Sequence, residues 1–166
     1  MKYFTPERYV AFNSDDQAVA DQADADWEKA TADYREHVRK ISSRLPDKTR
    51  VLAESTCLHD AVYLGYLKAP VPKSSAELAV VAVEQANDVL LLIYVLAEEP
   101  SLSAPHGADV FSDIAVHWLY DEVDATERGV FSHNILLSSG RTLSVKFVAF
   151  DMLTVTKEVP AHRAIS

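Results

Sequence analysis

The chain has 166 residues, of which 25 are acidic and 16 are lysine or arginine, so its formal net charge is −9. Nucleic acids and anionic membrane surfaces repel such a charge, and the sequence therefore predicts no nucleic-acid or membrane partner. The single cysteine, Cys57, excludes an intramolecular disulfide and a four-cysteine metal site. A chain of this length buries roughly 70% of its unfolded surface, which predicts one domain that needs no structural metal.

The sequence shows neither the pattern of a secretory signal nor that of a membrane-spanning helix. The N-terminal residues lack the apolar core of a secretory signal and include Pro6 and Glu7. The most hydrophobic stretch, residues 89–97, has about half the length of a bilayer-spanning helix. We therefore expect a cytoplasmic protein.

The first third of the sequence has the pattern of helices. Thr5 followed by Pro6 is typical of an N-cap with proline at the first helical position, which predicts a short helix to about residue 12. Beyond it, less polar residues recur every three or four positions, which predicts one long amphipathic helix from about residue 15 to residue 45. Its stripe consists of Ala23, Trp27, Ala30, Tyr34, Val38, Ile41 and Leu45.

From Val51 onward the apolar pattern has a period of two, which predicts strands. Residues 77–84 and 89–96 flank a four-residue turn, and this arrangement predicts a hairpin whose strands are buried on both faces. A β-bulge is expected between residues 148 and 151, where the alternation slips. The other predicted strands lie within residues 58–64, 114–123, 130–137 and 142–155.

These elements predict an α+β fold, in which one long N-terminal amphipathic helix packs on a mainly antiparallel sheet of about six to seven strands. Parallel pairing is disfavoured, because the strands lack the intervening helices that parallel crossovers need. We expect one domain over residues 1–159, with a helical part at residues 1–46 and a sheet part at residues 50–158. Residues 160–166 have no periodicity and are expected to be a loose C-terminal tail.

Several polar residues form a candidate polar cluster. Asp60 and His133 each share a predicted strand face with apolar neighbours, so both are expected to point inward. A buried carboxylate needs hydrogen-bond donors, which favours a structural role for Asp60 at a strand end or bend. The members of the cluster are His59, Asp60, Tyr120, Asp121, Glu122 and His133.

A metal site is the alternative interpretation of this cluster. Two histidines with two carboxylates suit zinc, manganese or iron, and the ligands would be His59, Asp60, Glu122 and His133. The spacing of these residues does not decide between the two interpretations. The sequence has no glycine-rich nucleotide loop, no Gly-x-Ser-x-Gly elbow and no His-Glu-x-x-His motif. The main prediction therefore assigns no catalytic residue, cofactor or metal.

Three segments carry a resemblance to a known family. The opening MKYFTPERYV, the Leu-His-Asp-Ala segment at residues 58–61 and the Trp-Leu-Tyr-Asp-Glu segment at residues 118–122 together resemble a bacterial family classified as a domain of unknown function. The resemblance spans nearly the whole chain and implies a bacterial cytosolic origin. The second segment also has a looser likeness to small bacterial immunity proteins. No catalytic residue or mechanism follows from either resemblance.

The sequence therefore favours a non-catalytic protein-binding module of an immunity or regulatory type. The negative charge favours a basic protein partner, since opposite charges speed encounter. The alternative is a metal-dependent hydrolase that uses the His/Asp/Glu cluster. The oligomeric state stays open.

Overall fold

The structure, a computed structural model, describes residues 1–112 and 114–157. Helices come first in this part of the chain and strands follow, and every strand pair is antiparallel. The predicted α+β class is confirmed. The helices are α1 (Pro6–Phe12), α2 (Gln17–Ile41) with a 3-10 turn (Ser42–Arg44), and α3 (Asp47–Ser55). The strands are β1 (Val62–Pro70), β2 (Glu77–Gln85), β3 (Asp88–Leu96), β4 (Ser101–Leu102), β5 (Trp118–Glu127), β6 (Val130–Leu137) and β7 (Thr142–Thr156).

The long helix α2 lies close to its predicted position, although the short helix α1 precedes it. Its N-cap is Asp16, whose Oδ1 accepts the backbone N–H groups of Ala18 and Val19 at 2.9 and 3.3 Å. A carboxylate at this position satisfies donors that have no partner within the helix. The buried positions of α2 are Ala23, Trp27, Ala30, Val38 and Ile41, which all belong to the predicted stripe.

The predicted boundary between the helical part and the sheet part is wrong. Residues 47–55 form α3, so the strand pattern expected from Val51 does not begin until Val62. The helix buries Thr49 and Leu52, which are one turn apart. Its apolar residues are too few to distinguish the helical period of 3.6 from the strand period of two. The strand expected from residue 114 begins only at Trp118, and Ile114 is almost fully exposed. The expected C-terminal tail lies outside the described residues.

The sheet has the strand order β1-β2-β3-β7-β6-β5, with β4 paired to β7. The two edge strands, β1 and β5, are hydrogen-bonded to each other near their first residues. Trp118 donates its backbone N–H to the carbonyl of Ala61 at 2.8 Å, Asp60 donates to the carbonyl of Trp118 at 2.9 Å, and Tyr63 donates to Val116 at 2.8 Å. These bonds and the bridge between Val62 and His117 close the sheet on itself at one end.

The predicted hairpin and bulge are both present. Gln85 pairs with Asp88 across a two-residue turn in which Ala86 has φ 54°. The extra residue of the bulge is Val148, since Val95 pairs with Ala149 and Leu96 with Phe147. Burial on both faces of the hairpin is wrong, however. In β2 only alternate residues are fully buried, because only the concave face of the closed sheet lines the core.

Two apolar clusters hold the helices and the sheet together. The larger one fills the inside of the sheet and includes Ile41 and Leu52, so the end of α2 and the helix α3 cover it. The smaller one lies on the outer side of β5, where Trp27 and Ala30 of α2 contact Phe4 and Tyr120. Helix α2 therefore contributes to both clusters, with its middle outside the sheet and its last turn at the main core.

We expect the substitution Trp27→Ala to destabilise the fold by about 3 kcal/mol or more, because a buried aromatic ring leaves a cavity when it is removed. The ring of Trp27 is 9% exposed and lies 4.5 Å from that of Tyr120 between centroids. Equilibrium unfolding in urea measures this loss. Ala25→Ser, at an exposed position of α2, is the control, and equal stability of the two variants would contradict the described packing.

Candidate functional site

Three segments that the sequence analysis singled out, residues 1–10, 58–61 and 118–122, meet at the start of β5. Residues 58–61 pair with Trp118 through the backbone hydrogen bonds that close the sheet. The N-terminal residues contact the next part of the same strand, where the rings of Phe4 and Tyr120 are stacked with centroids 5.4 Å apart. The region around β5 is therefore the candidate functional site.

The Glu122 carboxylate binds the N-terminal segment. Its Oε1 accepts the backbone N–H groups of Lys2, Tyr3 and Phe4 at 3.0, 2.6 and 2.7 Å, and its Oε2 also accepts that of Lys2 at 2.8 Å. Glu122 is buried. A buried carboxylate requires such donors, and three converging amides supply them. The residue therefore fixes the chain at its N-terminus.

A second polar network lies inside the sheet. Asp121 accepts a hydrogen bond from the indole Nε1 of Trp118 at 3.0 Å, and its other oxygen lies 2.9 Å from Nε2 of His133. The Tyr94 hydroxyl is 2.8 Å from Nδ1 of the same histidine. Because an ionised carboxylate only accepts, the network assigns the proton to Nε2, and Nδ1 then accepts from Tyr94. Each polar group of this hydrogen-bonded network therefore has a partner.

Burial strongly affects the tyrosine of this network. It raises the pKa of Tyr94 well above its ordinary value of 10.0, and the negative charge of Asp121 raises it further. The side chains of Tyr94 and His133 are fully enclosed. A substrate cannot reach these groups, so the arrangement is suited to fixing the core and not to proton transfer with a ligand.

The exposed pair His59 and Asp60 contradicts the prediction that Asp60 points inward. Nδ1 of His59 lies 3.0 Å from Oδ2 of Asp60, and the two side chains are 41% and 78% exposed. Residues 59 and 60 form a turn before β1, and Asp60 has φ 66°. The alternation of a strand does not apply in a left-handed turn, so Asp60 faces solvent. The inward orientation predicted for His133 is confirmed.

The six residues of the candidate polar cluster therefore fall into three separate groups. Asp121 and His133 lie on the inner face of the sheet, whereas Glu122, the next residue of the strand, lies on the outer face. The pair formed by His59 and Asp60 lies at the surface, and the His59 ring contacts that of Tyr120 at 5.0 Å between centroids. Within residues 1–112 and 114–157, no three His, Cys, Asp or Glu side chains are arranged to hold a metal ion.

The structure also assigns roles to residues that the sequence analysis did not single out. Val123 donates its backbone N–H to the Tyr34 hydroxyl at 2.7 Å, and Arg44 donates to the carbonyl of Ala125 at 3.0 Å. Side chains of α2 and the 3-10 turn thus bind the edge of β5 that faces away from β6. An edge strand with free N–H and C=O groups would otherwise invite pairing with another chain.

Comparison with known proteins adds no constraint, since the chain matches no protein-family model, no curated protein and no solved structure. Among the described helices, none is long and apolar enough to span a membrane.

The substitution Glu122→Ala should destabilise the fold by about 1–3 kcal/mol, because it leaves buried N–H donors of the N-terminal segment without an acceptor. Chemical unfolding of this variant measures the effect. Glu127→Ala, which removes an exposed carboxylate near the other end of β5, is the control. Equal unfolding free energies for the two variants would show that the N-terminal segment is not held by Glu122.

Stability should fall as the pH rises above 10, because Tyr94 keeps its proton in the folded protein while the unfolded chain loses it. One such group contributes a slope of about 1.4 kcal/mol per pH unit. Tyr94→Phe should lower the stability at neutral pH and make the alkaline decline shallower. The check is urea unfolding between pH 8 and pH 11, with Tyr66→Phe at an exposed tyrosine as the control. An unchanged slope in Tyr94→Phe would refute the role of burial.

Proposed function

We propose that this chain is a non-catalytic protein-binding module of the bacterial cytoplasm, of an immunity or regulatory type, and that its partner is a basic protein. The proposed binding surface is the acidic groove, defined as the cleft between α1 and α2 together with the exposed carboxylates of residues 15–33. The residues that line the cleft are Ala11, Asp16, Ala18, Val19, Gln22, Ala23 and Asp26.

The observation that carries this proposal is the charge of the acidic groove. Residues 15–33 contain seven acidic side chains and one lysine, and all seven acidic residues are exposed. Among the described residues, Asp33 alone of these has a salt-bridge partner, Lys29. Most of this charge is not neutralised by salt bridges within residues 1–112 and 114–157, so its field extends into solvent and attracts a cationic surface.

Local helix electrostatics does not explain these acidic residues. Carboxylates stabilise a helix when they lie at its N-cap or in its first turn. Asp16 has this role, but the first turn of α2 contains no acidic residue. Asp24, Asp26 and Glu28 lie beyond the range of the helix dipole. Their concentration supports a role in binding.

The cleft supplies apolar surface next to the charge. It has a volume of about 380 Å³, and its apolar lining consists of three alanines and Val19, which is 45% exposed. The methylene stem of a lysine or arginine can cover such a surface while its charged end reaches a carboxylate. The acidic groove therefore fits basic side chains of a folded or extended protein partner.

The positions of the other polar residues favour binding over catalysis. The carboxylates of Asp121 and Glu122 bind groups of the chain itself, and the metal ligands expected for a hydrolase lie on different faces of the sheet. The looser likeness of residues 58–61 to small bacterial immunity proteins agrees with this class.

Charge reversal in the acidic groove tests the proposal. The variant Asp24→Lys/Asp26→Lys should lose a partner that the wild-type chain captures from lysate of the source bacterium, because two favourable charge contacts become repulsive. Quantitative mass spectrometry of the captured proteins measures this loss. Raising the salt concentration should weaken wild-type capture as well, since the Debye length is about 10 Å at 0.1 M ionic strength.

The matched control is Asp109→Lys/Glu127→Lys, which changes the net charge equally at exposed positions outside the groove. This variant should keep the partner. Equal loss in both double variants would indicate only a general charge effect. Retention of every captured protein by Asp24→Lys/Asp26→Lys would contradict the proposed binding surface.

A further inference from the structure

The outer face of β1, β2, β3 and the second half of β7 is unusually apolar. Cross-strand pairs place its residues in four rows of four, and the two central rows are Leu67-Val80-Ile93-Asp151 and Gly65-Ala82-Leu91-Leu153. The other two rows are Ala69-Leu78-Val95-Ala149 and Val62-Glu84-Val89-Val155, and we call these sixteen positions the outer face. Glu84 and Asp151 are the charged members, and the others are glycine or apolar. A sheet face in contact with water normally carries polar residues.

Within residues 1–112 and 114–157, no helix covers the outer face. Helix α2 packs against β5, which does not belong to it, while α3 reaches β5 and β7 from the side of the core. Leu67, Leu153 and Val155 are 58%, 51% and 52% exposed. Monomeric proteins seldom leave a continuous apolar patch of several hundred Å² in water, so this face indicates an interface.

The charges of the outer face are neutralised within the chain. Glu84 forms a salt bridge with Lys157 at 2.6 Å, and Asp151 forms one with Lys48 at 2.5 Å. The outer face therefore offers no unpaired charge to a basic or acidic partner. An equally neutral apolar surface is the matching occupant, and the same face of a second copy has this property.

The two central rows are complementary in size on β1 and β2. A two-fold axis across the strands would place Leu67 over Gly65 of a second copy and Val80 over Ala82 of that copy. The same axis places Ile93 over Leu91 and Asp151 over Leu153, so the size complementarity is limited to β1 and β2. A side chain added at Gly65 would meet only open space, so this position can receive a leucine from the facing copy. Large residues opposite small ones let two sheet faces interdigitate.

The area that two outer faces would bury is close to the lower limit for a specific dimer. Four strands span about 19 Å and seven residues along a strand about 24 Å, which gives roughly 450 Å² per copy. Two copies would bury about 900 Å², and stable interfaces begin near 1,000–1,200 Å². The expected complex is therefore a weak, reversible homodimer.

We propose that the chain forms a symmetric homodimer through the outer face. Sedimentation equilibrium of the full chain should show a mass that rises with concentration from 18.4 kDa towards twice that value. Leu67→Lys/Leu91→Lys should weaken the dimer at least tenfold, since the two copies then bring four positive charges into an apolar contact. The control Leu102→Lys/Val110→Lys, which adds the same charge at two exposed apolar positions that do not belong to the outer face, should dimerise like the wild type. Circular dichroism verifies that each variant is folded.

A second variant separates the specific dimer from non-specific association. Ala82→Leu adds apolar surface but fills the space that Val80 of the other copy would occupy, so it should weaken the dimer. Non-specific association would instead become stronger. The proposal is overturned if the full chain stays at 18.4 kDa at all concentrations, if Leu67→Lys/Leu91→Lys dimerises normally, or if Ala82→Leu strengthens association.

Discussion

One buried carboxylate holds the N-terminal segment of this protein to its sheet. Glu122 accepts the backbone N–H groups of three successive residues, Lys2 to Phe4, at 2.6–3.0 Å. This arrangement brings the ring of Phe4 against Tyr120 and Trp27, and the second apolar cluster forms around them. The middle of α2 packs on that cluster. Glu122 therefore contributes to the position of the acidic groove, together with the contacts that α2 makes to β5 and to the main core.

The pleat of β5 explains how one short segment serves two parts of the fold. Asp121 points into the closed sheet and joins the buried network of His133 and Tyr94, while Glu122 points outward to the N-terminal segment. Successive residues of a strand alternate in this way. The two adjacent carboxylates consequently stabilise different clusters and do not form a common site.

The two proposed interaction surfaces lie on different elements. The acidic groove is formed by α1 and α2, which pack over β5, and the outer face is formed by β1, β2, β3 and β7. One surface is charged and the other is neutral and apolar. Binding of a basic partner should therefore depend on salt, whereas homodimer formation should not, and the two proposals can fail independently.

The parts of the fold that depend on periodicity could be predicted from the sequence. The long helix, the hairpin of β2 and β3 and the bulge at Val148 all follow from regular patterns of apolar residues. Helix α3 was missed because nine residues contain too few turns to distinguish a helical period from a strand. The error at Asp60 has another cause, since this residue lies in a left-handed turn before β1, where the alternation of a strand does not apply.

The candidate site was only partly predictable, for a physical reason. The sequence shows that Glu122 and His133 are polar residues among apolar neighbours, which indicates buried groups that need partners. The partners themselves are distant in the chain: Tyr94 lies 39 residues from His133, and Tyr3 lies 119 residues from Glu122. Which donor binds which acceptor depends on the strand order and on the closure of the sheet. The periodicity of a single sequence does not determine either of them.

Native-state hydrogen exchange of the wild-type chain tests the role of Glu122 most directly. The amides of Lys2, Tyr3 and Phe4 should exchange as slowly as those of β5 and β6, because they are bound to a buried carboxylate of the sheet. Chain termini usually exchange fast, since their amides are bound to water. Fast exchange of these three amides beside a protected sheet would contradict the account.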